Sequence, residues 1–174
     1  MMKTQDVYLI SPSTVKAMTS ANLNVSDDIL SYAIRNAQDM HLRFIVGDDI
    51  LASLKKQAEQ KINKVKDSMD EPYNTLLYDY VLPFLAAQSV VEACIPMTFK
   101  IRNIGVVKNN DTNAETLQLS DVLRIKNYYE GIACDAANRL SKYLNDNSKD
   151  FVELKGKCQC KINKHYAAVG LWLG

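Results

Sequence analysis

The sequence predicts a mainly α protein: a helical bundle of four to five helices with a small β-hairpin and an extended C-terminal tail. Three observations carry that expectation. Apolar residues recur at helical spacing in four long segments. One short stretch, residues 98–108, alternates apolar and polar residues around an Asn-x-Gly turn. The chain then changes character after residue 150, so residues 1–150 read as a helical domain carrying the hairpin, and 151–174 as a tail.

The first helix is expected over Ser26–Ile45, about 30 Å long at 1.5 Å per residue. Ser26 is placed as its N-cap, and Asp27 and Asp28 suit the positive end of the helix dipole. Its apolar face runs through Ile29, Leu30, Ala33, Ile34 and Ala37 to Met40 and Phe44. Gly47 closes it with a left-handed residue. A second helix begins at Asp48 or Asp49, with a narrow stripe of Leu51, Leu54, Ala58, Ile62, Val65 and Met69.

The third helix starts at Asp70-Glu71-Pro72, where a proline in the first turn lacks only an N–H that has no helical partner. Its broad apolar face includes Leu76, Leu77, Tyr80, Val81, Phe84, Leu85, Val90, Val91 and Ala93. With almost no charge from Val81 to Val91, it is the central helix of the bundle. Pro83 is expected to kink or split it and Pro96 to end it.

Phe99 and Ile101 alternate with Lys100 and Arg102 before the Asn103-Ile104-Gly105 turn, and Val106-Val107-Lys108 returns. Residues 109–116 are polar and aperiodic, a loop. Ser120 and Asp121 open the last long helix. Its stripe is read as Ile125, Tyr128 or Tyr129, Ile132, Ala136, Leu140 and Tyr143, with Ala133, Ala136 and Ala137 admitting a close neighbour. It frays at Asn145-Asp146-Asn147. Beyond it, residues 155–164 are polar and basic. Tyr166–Gly174 (YAAVGLWLG) is apolar to the last residue and is expected to be buried on this domain or a neighbour.

Composition argues against several classes. A chain of 174 residues suits one domain with a sizeable core. The apolar share of 47% and charged share of 24% are ordinary for a globular protein. With 21 basic and 20 acidic residues the net charge is +1, which disfavours a dedicated nucleic-acid binder. Neither a secretion signal nor a run of about 18 apolar residues is read from the sequence, so no membrane is expected. Cys94, Cys134, Cys158 and Cys160 are expected as reduced thiols in a cytosol.

Each candidate chemistry has a plainer reading. Cys158, Cys160 and His165 are close, but C-x-C-x4-H matches no usual zinc spacing, and a strand pair with free thiols is favoured. His41 reads as a surface or packing residue, not a catalytic base. The pairs Asp27/Asp28 and Asp48/Asp49 read as helix starts. Tyr78, Tyr80, Tyr128, Tyr129 and Tyr143 read as packing residues, not base-stacking platforms. Lysines 55, 56, 61, 64 and 66 read as a solvated face balanced by Glu59 and Asp67. The alternative reading is a small helical DNA-binding or regulatory protein that uses this lysine-rich helix. No catalytic residue, metal or cofactor is expected, and an enzyme is disfavoured.

Three stretches, Asp27–Leu54, Tyr73–Asn110 and Ile125–Phe151, carry a family resemblance. Within them stand a helix followed by Phe44-Ile45-x-Gly47-Asp48, then Tyr80-x-x-Pro83, and the hairpin Phe99-Lys100-x-x-Asn103-x-Gly105-Val106-Val107. In this pattern the chain resembles the head–tail connector (adaptor) proteins of tailed phages, in particular the small ring-forming adaptors of crAss-like phages of gut Bacteroidales. The resemblance implies a ring, typically dodecameric, below the portal vertex. Such a ring extends the DNA channel and docks downstream tail or ring proteins, while double-stranded DNA passes through without specific binding. It implies a virion location after synthesis in the host bacterial cytoplasm. Residues 155–174 lie outside the shared pattern. Two interface elements are expected: Phe99, Lys100, Arg102, Val106 and Lys108 at the hairpin, and Tyr166, Val169, Leu171, Trp172 and Leu173 as tail anchors on an adjacent subunit or the portal.

Overall fold

The apolar periodicities become a mainly α architecture in a computed structural model, which describes residues 7–21, 25–65, 67–102, 105–108 and 119–154. In chain order come α1 (Pro12–Met18), α2 (Asp27–Asn36), a π-helical stretch (Ala37–Leu42), α3 (Arg43–Val46) and α4 (Asp48–Ile62). They are followed by α5 (Tyr73–Thr75), a second π-helical stretch (Leu76–Val81) and α6 (Leu82–Thr98). Last are β1 (Phe99–Arg102), β2 (Gly105–Lys108), α7 (Leu119–Asp146) and a 3-10 turn (Val152–Leu154).

α6 is the axis. Phe84 through Val91 are all buried, with Ala93 and Cys94, and α1, α2 and α7 pack around it. Together with the two turns before it, Tyr73–Thr98 is long and apolar enough to cross a membrane by length and composition, which the sequence reading missed. In this body 61% of its most apolar window is buried in protein. Pro96 does not end the helix. It stands in the last turn, which runs on to Thr98, whose hydroxyl donates to the Cys94 carbonyl at 2.9 Å. Pro83 follows the widened π turn, where the Leu82 N–H reaches back five residues to the Leu77 carbonyl. A widened turn is one way to relieve the clash of a proline ring with the preceding turn.

α1 was not expected. Its signal was Ser11-Pro12: the Ser11 hydroxyl accepts from the Thr14 N–H at 3.1 Å, and the proline takes the first helical position. α2 starts differently from the expectation, because Ser26 makes no side-chain capping bond. Asp27 in its first turn instead accepts from Lys16 of α1 at 2.7 Å.

The first π stretch overturns the expected face of this helix. The Arg43 N–H bonds the Gln38 carbonyl, five residues back, so the following residues are rotated relative to a straight α-helix. Met40 and Phe44 are therefore 65% and 54% exposed, while Gln38, Leu42 and Val46 take the core positions. Gly47 has φ +81° as its closing role needs, but its ψ of 166° lies outside the left-handed helical region, and it joins α3 directly to α4.

In α4, Ile50, Leu51, Leu54 and Ala58 are buried. The stripe stops there, because the helix ends at Ile62 and Lys64 turns with φ +54°. Ile62 and Val65 are accordingly 68% and 70% exposed, and Met69 is buried from outside the helix. In α7 the buried line is Val122, Tyr129, Ala133, Ala136, Ala137, Leu140 and Leu144. Of the two tyrosines left open from sequence, Tyr129 is the buried one and Tyr128 is exposed; Ile125 and Ile132, assigned to the stripe, are exposed beside it, because the small alanines set the face nearest α6.

The body runs through Leu154, past the expected division at residue 150. Phe151 is fully buried, edge-on to Tyr73 (5.3 Å, 89°) and Tyr143 (6.3 Å, 79°), and Tyr143 stacks on Tyr80 at 4.3 Å. The Phe151→Ala variant is expected to lose about 3–5 kcal/mol of unfolding free energy in urea denaturation. A loss below about 1 kcal/mol would remove Phe151 from the core. Ser89 Oγ is buried with no hydrogen-bond partner among the described residues. Ser89→Ala is therefore expected to leave stability unchanged or to raise it by up to about 1 kcal/mol in the same assay; a clear loss would reveal a partner for the hydroxyl.

Candidate interface surfaces

β1 continues directly from α6 and pairs antiparallel with β2, with Phe99 opposite Lys108, Lys100 opposite Val107, Ile101 opposite Val106 and Arg102 opposite Gly105. Among the described residues this sheet has two strands, so each strand has one edge that no other strand pairs. All five expected interface residues of the 98–108 segment lie on these strands. The tail anchors Tyr166, Val169, Leu171, Trp172 and Leu173, with Cys158, Cys160 and His165, lie outside the described residues.

The root of the tail is fixed by a polar cluster that sequence reading did not find. Glu153 accepts from the Ser53 hydroxyl of α4 through Oε1 and from the Tyr73 hydroxyl through Oε2, the latter at 2.5 Å. Burial raises the Glu153 carboxyl, but the two donated hydrogen bonds outweigh it and leave the group below its ordinary range. Burial, reinforced by the bond to Glu153, pushes the Tyr73 phenol well up, so it stays a donor. Three residues separated by 20 to 100 positions leave no local signal, which is why spacing could not reveal them.

A second cluster ties the first π stretch to α6. His41 Nε2 lies 3.0 Å from Glu92 Oε1, and Gln88 Nε2 donates to the same oxygen at 3.3 Å. The His41 bond holds the Glu92 carboxyl below its ordinary range against the opposing effect of burial. His41 is thus a packing residue with a polar partner. Among the described residues no group of three or more His, Cys, Asp or Glu side chains is placed to hold a metal.

The lysine-rich face is partly engaged within the chain. Lys55 Nζ bonds Asp39 at 3.2 Å, and Lys61 Nζ donates to the Tyr78 hydroxyl at 2.7 Å, over its ring at 5.0 Å from the centroid. Lys56 and Lys64 are exposed, and Lys66 lies outside the described residues. Asp27, Asp28, Asp48 and Asp49 all occupy first turns, and Asp48 pairs with Arg43.

A groove of about 980 Å³ opens between residues 7–14 and the end of α4. Ile10 and Pro12 stand on one side and Ile62, Tyr78 and Leu82 on the other, with Glu59 also lining it. The first wall is held by Gln38, buried in the core by the π turn. Its Oε1 accepts from the Leu9 N–H at 2.9 Å, and its Nε2 donates to the Val7 carbonyl at 3.2 Å.

These surfaces belong to a mainly helical domain whose strands follow its central helix. The chain belongs to a family of unknown function, DUF6712, which it matches over residues 42–164. That span takes in α3 through α7, both strands and the basic part of the tail, and leaves out α1 and α2. No curated protein and no solved structure matches the chain.

Glu92 titrates below the ordinary glutamate value of 4.5, so its contribution to stability is complete above that value and is lost as pH falls through its lower folded value. Melting temperature is expected to fall as pH drops below about 4.5, and more shallowly in Glu92→Gln. Equal slopes for the two proteins would show that the pair does not contribute.

Proposed function

We propose that this protein is a structural head-to-tail adaptor that forms a ring below a phage portal, extends the DNA channel and joins capsid to tail. The finer architecture of this reading is a bundle of four to five helices with a small hairpin and an extended C-terminal docking tail. One observation supports it most. α6 packs against α1, α2 and α7, with Phe84 through Val91 buried, and the apolar segment Tyr166–Gly174 follows a body that already has this core. Such a segment is suited to a partner.

Two further features agree. The paired strands keep edges that a neighbouring copy can extend through Phe99, Lys100, Arg102, Val106 and Lys108, and an isolated two-stranded sheet gains stability from such a partner. A net charge of +1 suits a conduit that lets double-stranded DNA slide past without gripping it. In this reading Tyr166, Val169, Leu171, Trp172 and Leu173 anchor each subunit on an adjacent subunit or the portal. Downstream tail proteins bind the far side, and no reaction or cofactor is involved. The resemblance to crAss-like phage adaptors motivates the virion location.

Deletion of Tyr166–Gly174 is expected to abolish ring formation and portal binding, seen by light scattering and particle imaging, while the far-UV circular dichroism keeps its helical signal. A truncated protein that still assembles with the portal would overturn the reading.

A further inference from the structure

The groove beside Gln38 is open, more apolar than polar, and held in shape. Its first wall is fixed at two points by a buried glutamine, so little ordering is left to be done on binding. Its second wall presents Ile62, a large aliphatic side chain mostly in water, next to Tyr78 and Leu82. A pocket of this volume is at the upper end of those that enclose small ligands, and Arg35, Glu59 and Asn63 line it beside Ile10, Ile62 and Leu82. A segment that carries both apolar and polar side chains suits such a lining.

We infer that this groove receives the apolar end of the C-terminal tail, Tyr166–Leu173, from an adjacent copy of the chain. The inference rests on the ring reading above and names the acceptor for its tail. Glu153 fixes the tail's root on Ser53 and Tyr73, and the chain continues for residues 155–174. The stretch 155–165 spans about 36 Å when extended, enough to leave one subunit and reach the next. Lys155, Lys157, Lys161 and Lys164 precede the apolar end, and the groove is lined by Glu59 and by Arg35, whose Nε donates to the Tyr8 hydroxyl at 2.8 Å. A tail leaving one face and a groove on another make a heterologous contact, the kind that repeats around a ring.

Trp172 is the single tryptophan, so its emission in the full-length chain reports the tail alone. The expected result is a blue shift of that emission as protein concentration rises through the range where light scattering shows association. Ile62→Asp, at an exposed position that leaves the core intact, is expected to abolish both the shift and the association without changing circular dichroism. Three outcomes would overturn the inference. Emission that stays blue on dilution to monomer would mean that the tail sits on its own chain. A chain that assembles normally with an unchanged Ile62→Asp response would displace the tail from this groove and leave the adaptor reading standing. A chain that stays monomeric at every concentration, with portal present, would remove both.

Discussion

Everything in this body answers to one constraint: most of α6 is unfit for water. Burying Phe84, Leu85, Val90 and Val91 contributes about 1.5–3 kcal/mol each, and the gain requires neighbours on every side. α2 covers one side and α7 another, while the short α1, which has little stability of its own, is recruited because Val15 is buried in the same core. Ala133, Ala136 and Ala137 follow from the same demand, since a long helix can cover α6 closely only where its own side chains are small.

The two π turns are how helices with imperfect repeats meet that demand. In the first, one widened turn replaces Met40 and Phe44 in the core by Leu42 and Gln38. Burying Gln38 would be costly without partners, and the chain supplies them from residues 7–9, whose own backbone groups need satisfying. The same rotation puts His41 against Glu92 on α6. A single change in helical phase therefore sets the N-terminal segment, one interhelical polar pair and one wall of the groove.

Much of the helical plan was legible because it is local. The starts at Asp27 and Asp48, the central apolar helix and the end near Asn147 all follow from acidic first-turn residues, polar breaks and periodicity. The errors share a cause. Extrapolating a fixed period through residues 37–42 placed Met40 and Phe44 inside, and extending it past Ile62 placed Val65 inside. In α7 the alanines were read correctly as the close-approach face, but Ile125 and Ile132 were added to it because they are large and apolar. Each mistake came from treating a helix as straight, or its largest residues as its buried ones. The groove and the Glu153 cluster were illegible for another reason: they join residues distant in sequence, whose nearness is a product of the packing.

The placement of Phe151 and Glu153 bears on what the tail is for. A flexible appendage gains nothing from a buried aromatic and a doubly bonded carboxylate at its base. A docking arm does, because fixing its root shortens the distance it must search and raises its effective concentration at a site within reach. The root lies between α4 and α5, and the end of α4 lines the groove with Tyr78 and Leu82. In the proposed assembly, donor and acceptor geometry would both be set by how α4 and the helix leading into α6 pack. A substitution that shifts that packing would then disturb the proposed assembly even where it touches neither the tail nor the groove.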